Sequence, residues 1–189
     1  MIQSLGIRSG DRVADLGSGS GYFTFRLADV VGKNGKIYAT DIDHDMNSYV
    51  AEQKQRRGYE NIEIIQAQLQ DPLLPYKGVD MVFTCNVYHH LENRAHYFIN
   101  IKKYLRQGGR VAIIDFKGGA FHHFTIKNAI KSDMVKAGYH LLNEYEFFPK
   151  KYIQRYTLLS DLDFSKRNLT INIAKVYILR VILKYKYLL

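Results

Sequence analysis

The stretch VADLGSGSGYFTFRLA, Val13 to Ala28, sets Gly17, Gly19 and Gly21 at alternate positions between a short apolar run and an amphipathic one. Glycine is needed where a backbone turns sharply from strand to helix, or where a ligand must approach main-chain atoms. One glycine implies only a tight turn; three at this spacing, directly after a strand-like run, imply a loop that holds a ligand. The spacing is G-x-G-x-G, with Tyr22 where the third glycine of a dinucleotide fingerprint would stand. Asp15, just before the loop, opposes a pyrophosphate but attracts an ammonium or sulfonium group. These residues suit a cationic nucleoside ligand better than a nicotinamide dinucleotide.

A second group with chemical potential is His89 and His90, in the run FTCNVYHHLEN. They follow an apolar stretch at the edge where open α/β sheets place ligands, so an imidazole there can remove a proton from an acceptor. Equally, both rings can cap or pack the segment that follows. His122 and His123 form another pair, but no Asp, Glu or Cys clusters with either pair at ligand-like spacing, and no metal is expected. The single cysteine, Cys85, excludes an intramolecular disulfide and fits a reducing, cytoplasmic setting.

These residues need elements to position them, and the sequence supplies β-rich runs alternating with stretches of helical period. RVADL (12–16), KIYATD (36–41), NIEIIQA (61–67), VDMVFTCN (79–86) and GRVAIIDF (109–116) read as strands. YFTFRLADVV, MNSYVAEQKQRR, RAHYFINIKKYL and TIKNAIKSDMVKA lie between or after them as helices. The early strands are nearly continuous in Val, Ile and Phe, as parallel strands buried on both faces are. YHLLNEYEFF and KYIQRYTLL, joined through Pro149 and Lys150, predict a closing antiparallel hairpin. The fold class is therefore α/β: a Rossmann-like open sheet of about seven strands, mostly parallel, with helices on both faces.

A chain of 189 residues with 47% apolar and 24% charged side chains suits one soluble domain. Its charge of +9 is unevenly placed: residues 1–150 carry 19 basic against 16 acidic side chains, and residues 151–189 carry 8 against 2. The balanced body offers no nucleic-acid footprint. We divide the chain into a domain at 1–159 and a basic, apolar extension at 160–189. The extension has three readings: an amphipathic contact with a membrane surface or partner, a segment packed on the body, or an addition without a role. No leader segment and no membrane span are expected from the apolar runs.

The opening stretch resembles motif I of the class I S-adenosylmethionine-dependent methyltransferases, and further segments match in order. KIYATDID resembles the second-strand motif, AQLQDPLLPYKGVDMVF the adenine-side loop and fourth strand, and LRQGGRVAIIDF the turn and strand beyond. The resemblance covers about residues 3–157 and implies adenosylmethionine as cofactor. It implies that Asp15, Gly17, Ser18, Gly19 and Gly21 surround the methionine moiety, and that Asp41 and Ile42 hold the ribose. Gln68 and Leu69 would flank adenine, and Asn86 would lie beneath the sulfonium. Only MIQSLGIRSG precedes the first strand, so the resemblance is to a member lacking the usual N-terminal helices. The expected activity is methyl transfer to a small-molecule acceptor. The alternatives are a non-catalytic cofactor-binding or regulatory module of the same fold and, less well matched at Tyr22, a dehydrogenase-type domain.

Overall fold

The computed structural model describes residues 2–116, 125–146 and 150–161. Seven strands form one sheet: β1 (Arg12–Leu16), β2 (Lys36–Asp41), β3 (Ile62–Gln66), β4 (Val79–Cys85), β5 (Leu105–Phe116), β6 (Tyr139–Tyr145) and β7 (Lys151–Leu158). Their order is β3-β2-β1-β4-β5-β7-β6. The first five are parallel, and β7 runs antiparallel between β5 and β6. This is the expected sheet. The helices are α1 (Tyr22–Val31), α2 (His44–Arg57), α3 (Arg94–Ile101) and α4 (Lys127–Lys136).

Alternation along the strands sorts the core into two layers. Val13, Met81, Phe83, Ala112 and Ile114 pack with Phe25, Leu27, Val31 and Val50 of α1 and α2. Ala14, Val82, Val111 and Ile113 pack on the opposite side with Phe98, Ile101, Ile130 and Met134 of α3 and α4. Successive side chains of a strand point to opposite faces, so a strand apolar at every position needs a helix layer on each side. At about 25 cal/mol per Å² of apolar surface, each fully buried Leu, Ile or Phe contributes roughly 2 kcal/mol.

Two neighbouring boundaries depart from the sequence reading: α3 ends at Ile101 rather than running through RAHYFINIKKYL to residue 105, and the next strand starts early. β5 begins at Leu105 rather than near residue 109, because Leu105 pairs with Val79 before the register shifts and Arg110 pairs with Met81. The segment that reads as a turn is an irregularity inside the strand. Of the extension at 160–189, all but its first two residues lie outside the described residues, as do His122, His123 and Pro149.

The strand order places the site. The chain leaves β1 towards β2 on one side and β4 returns on the other, so the carboxyl end of β1 is the crevice where strand order reverses. The glycine loop begins at that end.

Candidate functional site

Gly17, Gly19 and Gly21 have φ of 68°, 51° and 79°, the left-handed region that a side chain disfavours. The N–H groups of Gly17 and Ser18 donate to the carbonyl of Thr40 at 2.8 and 3.2 Å, tying the loop to the end of β2. A Cβ on Gly17 would lie 2.3 Å from Val87 Cγ2, whereas one on Gly19 would meet nothing within 4 Å. Gly17 is therefore required by packing, and Gly19 faces open space. Gly21 caps α1, whose first turn receives no side-chain cap.

Asp41 ends β2 beside this loop. Its Oδ2 accepts from Gly19 N–H at 2.8 Å and its Oδ1 from Asp43 N–H at 3.0 Å. The turn that follows is braced by residues the sequence reading did not single out. Asn47 Nδ2 donates to the Asp41 carbonyl and to Gln66 Oε1, and Gln66 Nε2 donates to the Ile42 carbonyl. Gln66, polar at the end of the apolar run IEIIQ, was the available signal; Asn47, within the polar helix α2, offered none. Ile42 itself is exposed.

Asp15 lies beneath the loop rather than on its surface, buried and accepting a 2.6 Å hydrogen bond from Thr24 Oγ1 of α1. Burial pushes its carboxyl up to about 6; the Thr24 bond opposes the rise and the Asp41 charge adds to it. Its direct effect is to hold α1 against β1 under the glycines.

Gln68 exchanges backbone hydrogen bonds with Asp71, which closes the loop after β3 and leaves Leu69 exposed. Asp71 accepts from Lys103 Nζ at 2.7 Å, from the Tyr104 hydroxyl and from Leu73 N–H. Burial alone would raise the Asp71 carboxyl, but the bonds from Lys103, Tyr104, Asn100 and Leu73 hold it well below the usual carboxylate range.

Asn86 leaves β4 with φ of 61°, its N–H donating to the Ile114 carbonyl at 2.9 Å. Its Oδ1 is buried without a hydrogen-bond partner, and so is Ser18 Oγ. The Gly17–Val87 contact brings these two segments together. Two buried, unsatisfied oxygens beside an open loop suit a ligand that donates hydrogen bonds, such as an ammonium group.

Leu16, Gly17, Thr40, Asp41, Ile42, Gln68, Leu69, Val87, His90 and Tyr97 are among the residues lining a cleft of about 350 Å³. Asp15, Ser18, Gly19, Gly21, Asn86 and His89 are not among its lining residues. The two histidines thus part company. His90 faces the cleft, while His89 is packed inside, its Nδ1 2.8 Å from Asp115 Oδ1. Asp115 was missed by the sequence reading; a carboxylate closing the apolar run GRVAIIDF was its signal. Among the described residues no group of three or more His, Cys, Asp or Glu side chains is placed to hold a metal ion. No helix among them is long and apolar enough to cross a membrane.

The sequence profile of a family described as a methyltransferase domain matches residues 7–157. The ubiquinone/menaquinone biosynthesis C-methyltransferase UbiE of Francisella philomiragia is 28% identical over 116 residues, 61% of this chain and 46% of that protein. The arsenite methyltransferase of Halobacterium salinarum is 31% identical over 106 residues, 56% of this chain and 27% of that protein. The aligned segment thus spans about half the length of the first of these relatives or less. A SAM-dependent methyltransferase from Aquifex aeolicus superposes with a TM-score of 0.75 at 23% identity, covering 82% of this chain and 86% of that one. The [4+2]-cyclase SpnF superposes with a TM-score of 0.70 at 12% identity, covering 81% and 76%. At such identities these likenesses show the fold alone, and the cyclase shows that the fold carries more than one chemistry.

Proposed function

The chain belongs to the methyltransferase-domain family, and from that premise we propose that it binds S-adenosylmethionine and transfers its methyl group to a small-molecule acceptor. The observation that carries the reading is Asp41, a carboxylate at the end of β2 with Gly19 N–H on one side and the cleft on the other. A carboxylate has about four acceptor positions, so Asp41 can keep both backbone donors and still accept from vicinal ribose hydroxyls. Ile42 would hold the ribose with Asp41, Gln68 and Leu69 would flank the adenine, and Gly17 to Gly19 with Asn86 would take the methionine portion.

The bound cofactor supplies an activated methyl group on a good leaving group. What remains for the chain is alignment and exclusion of water. Val87 packed on Gly17 fixes the floor of the cleft, and the Asp71 bonds fix its adenine side. The balanced charge of residues 1–150 supports a small acceptor over a nucleic acid. The named relatives act, by their names, on a ubiquinone or menaquinone precursor and on arsenite, so an aromatic ring or a soft nucleophile comes first in an acceptor screen.

Calorimetric titration of the full chain with adenosylmethionine, adenosylhomocysteine and NAD tests this reading. Binding of the first two and not the third, abolished in Asp41→Ala, is expected. No binding of either adenosyl compound would overturn it and favour a fold that has lost the site.

A further inference from the structure

We propose that the amino edge of the sheet carries a second binding site, which takes a phosphate group borne on a small hydroxylated body such as a sugar. It lies at the opposite end of β1 from the glycine loop, roughly 15 Å away at 3.3 Å per residue, and stands independently of the methyl-transfer reading.

The site is a cavity of about 340 Å³ lined by Arg8, Asp11, Asp80, Gln107, Gly108 and Arg110. It owes its shape to the irregularity at the start of β5. Leu105 pairs with Val79 and Arg110 with Met81, so the four residues from Arg106 to Gly109 stand opposite Asp80 alone. The surplus leaves the ladder and forms one lip of the cavity; bulges of this kind re-aim side chains beside binding sites. Gly108 sits on that lip with φ of 73°, and a Cβ there would meet nothing within 4 Å. The lip therefore borders open space, as Gly19 does in the cleft.

The carboxylates of the site already hold its walls. Asp11 Oδ2 accepts from Arg8 N–H at 2.9 Å. Asp80 accepts from Arg12 N–H at 2.8 Å and from Arg106 Nη1 at 3.3 Å. The arginines are less fully engaged. Arg110 Nη1 donates to the Gly6 carbonyl at 3.1 Å and Nη2 stands 3.6 Å from Asp11, two contacts for a group with five N–H donors. The Arg8 side chain is exposed and enters no hydrogen bond or ion pair among the described residues. Behind Arg110, Arg155 Nη1 donates to the Leu5 carbonyl at 2.8 Å, and Arg155 Nε is sealed without a partner. Burial pulls the Arg110 guanidinium below its ordinary range; Asp11 opposes the fall, and the charges of Arg155 and Arg8 add to it. A half-buried cation short of counter-charge is stabilised by an arriving oxyanion.

The guanidinium fork matches two phosphate oxygens at once. Gly6 and Asp11 fix Arg110 before any ligand arrives, and Arg8 can close on the same group from the exposed side. A water takes about 30 Å³ of liquid, so the cavity has room for a body attached to the phosphate. That body meets no apolar wall. It meets the Gln107 amide and the remaining acceptor positions of Asp11 and Asp80, which suit hydroxyl donors.

Binding is measured on the full chain by calorimetry and by nitrogen-15 amide shifts, with ribose 5-phosphate, inorganic phosphate and ribose as probes. Ribose 5-phosphate is expected to bind more tightly than phosphate, ribose not at all, and both phosphates more weakly as sodium chloride is raised. The amides of Arg8, Gly108 and Arg110 should shift while those of Gly17 to Gly19 stay in place. Arg8→Gln should weaken ribose 5-phosphate by roughly tenfold with an unchanged melting temperature, since the side chain holds nothing in the fold. Saturating adenosylhomocysteine should leave the titration as it was. No binding of either phosphate below about 10 mM, wild-type affinity in Arg8→Gln, shifts at Gly17 to Gly19 instead, or displacement by adenosylhomocysteine each overturns the site. Ribose binding as tightly as its phosphate overturns the phosphate assignment, and phosphate binding as tightly as ribose 5-phosphate overturns the hydroxylated body. A chain that binds ribose 5-phosphate but not adenosylhomocysteine would overturn the methyl-transfer reading and leave this site standing.

Discussion

Asp41 Oδ2 and the backbone N–H of Gly19 are joined by a 2.8 Å hydrogen bond that connects the end of β2 to the middle of the glycine loop. The ribose carboxylate and the methionine loop are thereby one unit. Asp41→Asn presents an amide where two backbone donors converge, so at least one N–H loses a charged partner. Bonds to charged groups contribute about 1.5–3 kcal/mol each. Adenosylhomocysteine affinity should fall by at least about tenfold by calorimetry, and a variant binding as tightly as wild type would remove Asp41 from the site.

The two loop glycines should respond differently to the same methyl group. Gly17→Ala meets both a positive φ and a contact of 2.3 Å with Val87, so its melting temperature should drop clearly. Gly19→Ala meets open space and only the backbone penalty of about 1–2 kcal/mol. Its stability loss should be the smaller, while its ligand affinity falls because the added methyl occupies ligand volume. Equal stability losses would contradict this division.

Asp15 makes stability fall with pH over a defined window. Its carboxyl titrates near 6 in the folded chain, raised by burial, and near 4 when unfolded. Between those values the folded state binds more protons, so stability declines as pH rises from about 4 to about 6. Asp15→Asn removes this contribution. Its stability relative to wild type, from urea unfolding, should improve across that window by on the order of 1–3 kcal/mol; a pH-independent difference would show that Asp15 titrates normally.

Asp71 should behave as a clamp on the adenine side. Tyr104→Phe removes one of its hydrogen bonds without changing shape. Because Asp71 keeps Lys103 and Leu73 N–H, the stability loss should be only about 1 kcal/mol. The amides of residues 68–73 should exchange faster with solvent while those of β1 stay unchanged.

The sheet and the glycine loop were legible because each rests on local chemistry: apolar runs, alternating glycines, a carboxylate at a strand end. Asp15 was legible as a residue, but not as a buried one. Its charge suggested direct attraction to a cation, and only the packing of Thr24 against β1 reveals a positioning role. His89 and His90 are adjacent and chemically identical in sequence. What separates them is Asp115, which lies 26 positions from His89 and reaches it only through the pairing of β4 with β5. The start of β5 was missed for a similar reason, since Leu105 is held by Val79 across an irregular register.

The sheet order carries a consequence for how the chain is made. The cleft walls come from residues 16–17, 40–42, 67–70, 87, 90–92 and 97, and β4 must slot beside β1 before the last of them are in place. No nascent fragment ending before Tyr97 can assemble the cleft. During synthesis a ligand there can only reward a chain whose first four strands have already found each other. Ligand binding then acts as a late brake on reopening rather than an early guide to folding, slowing the unfolding rate far more than it speeds the folding rate.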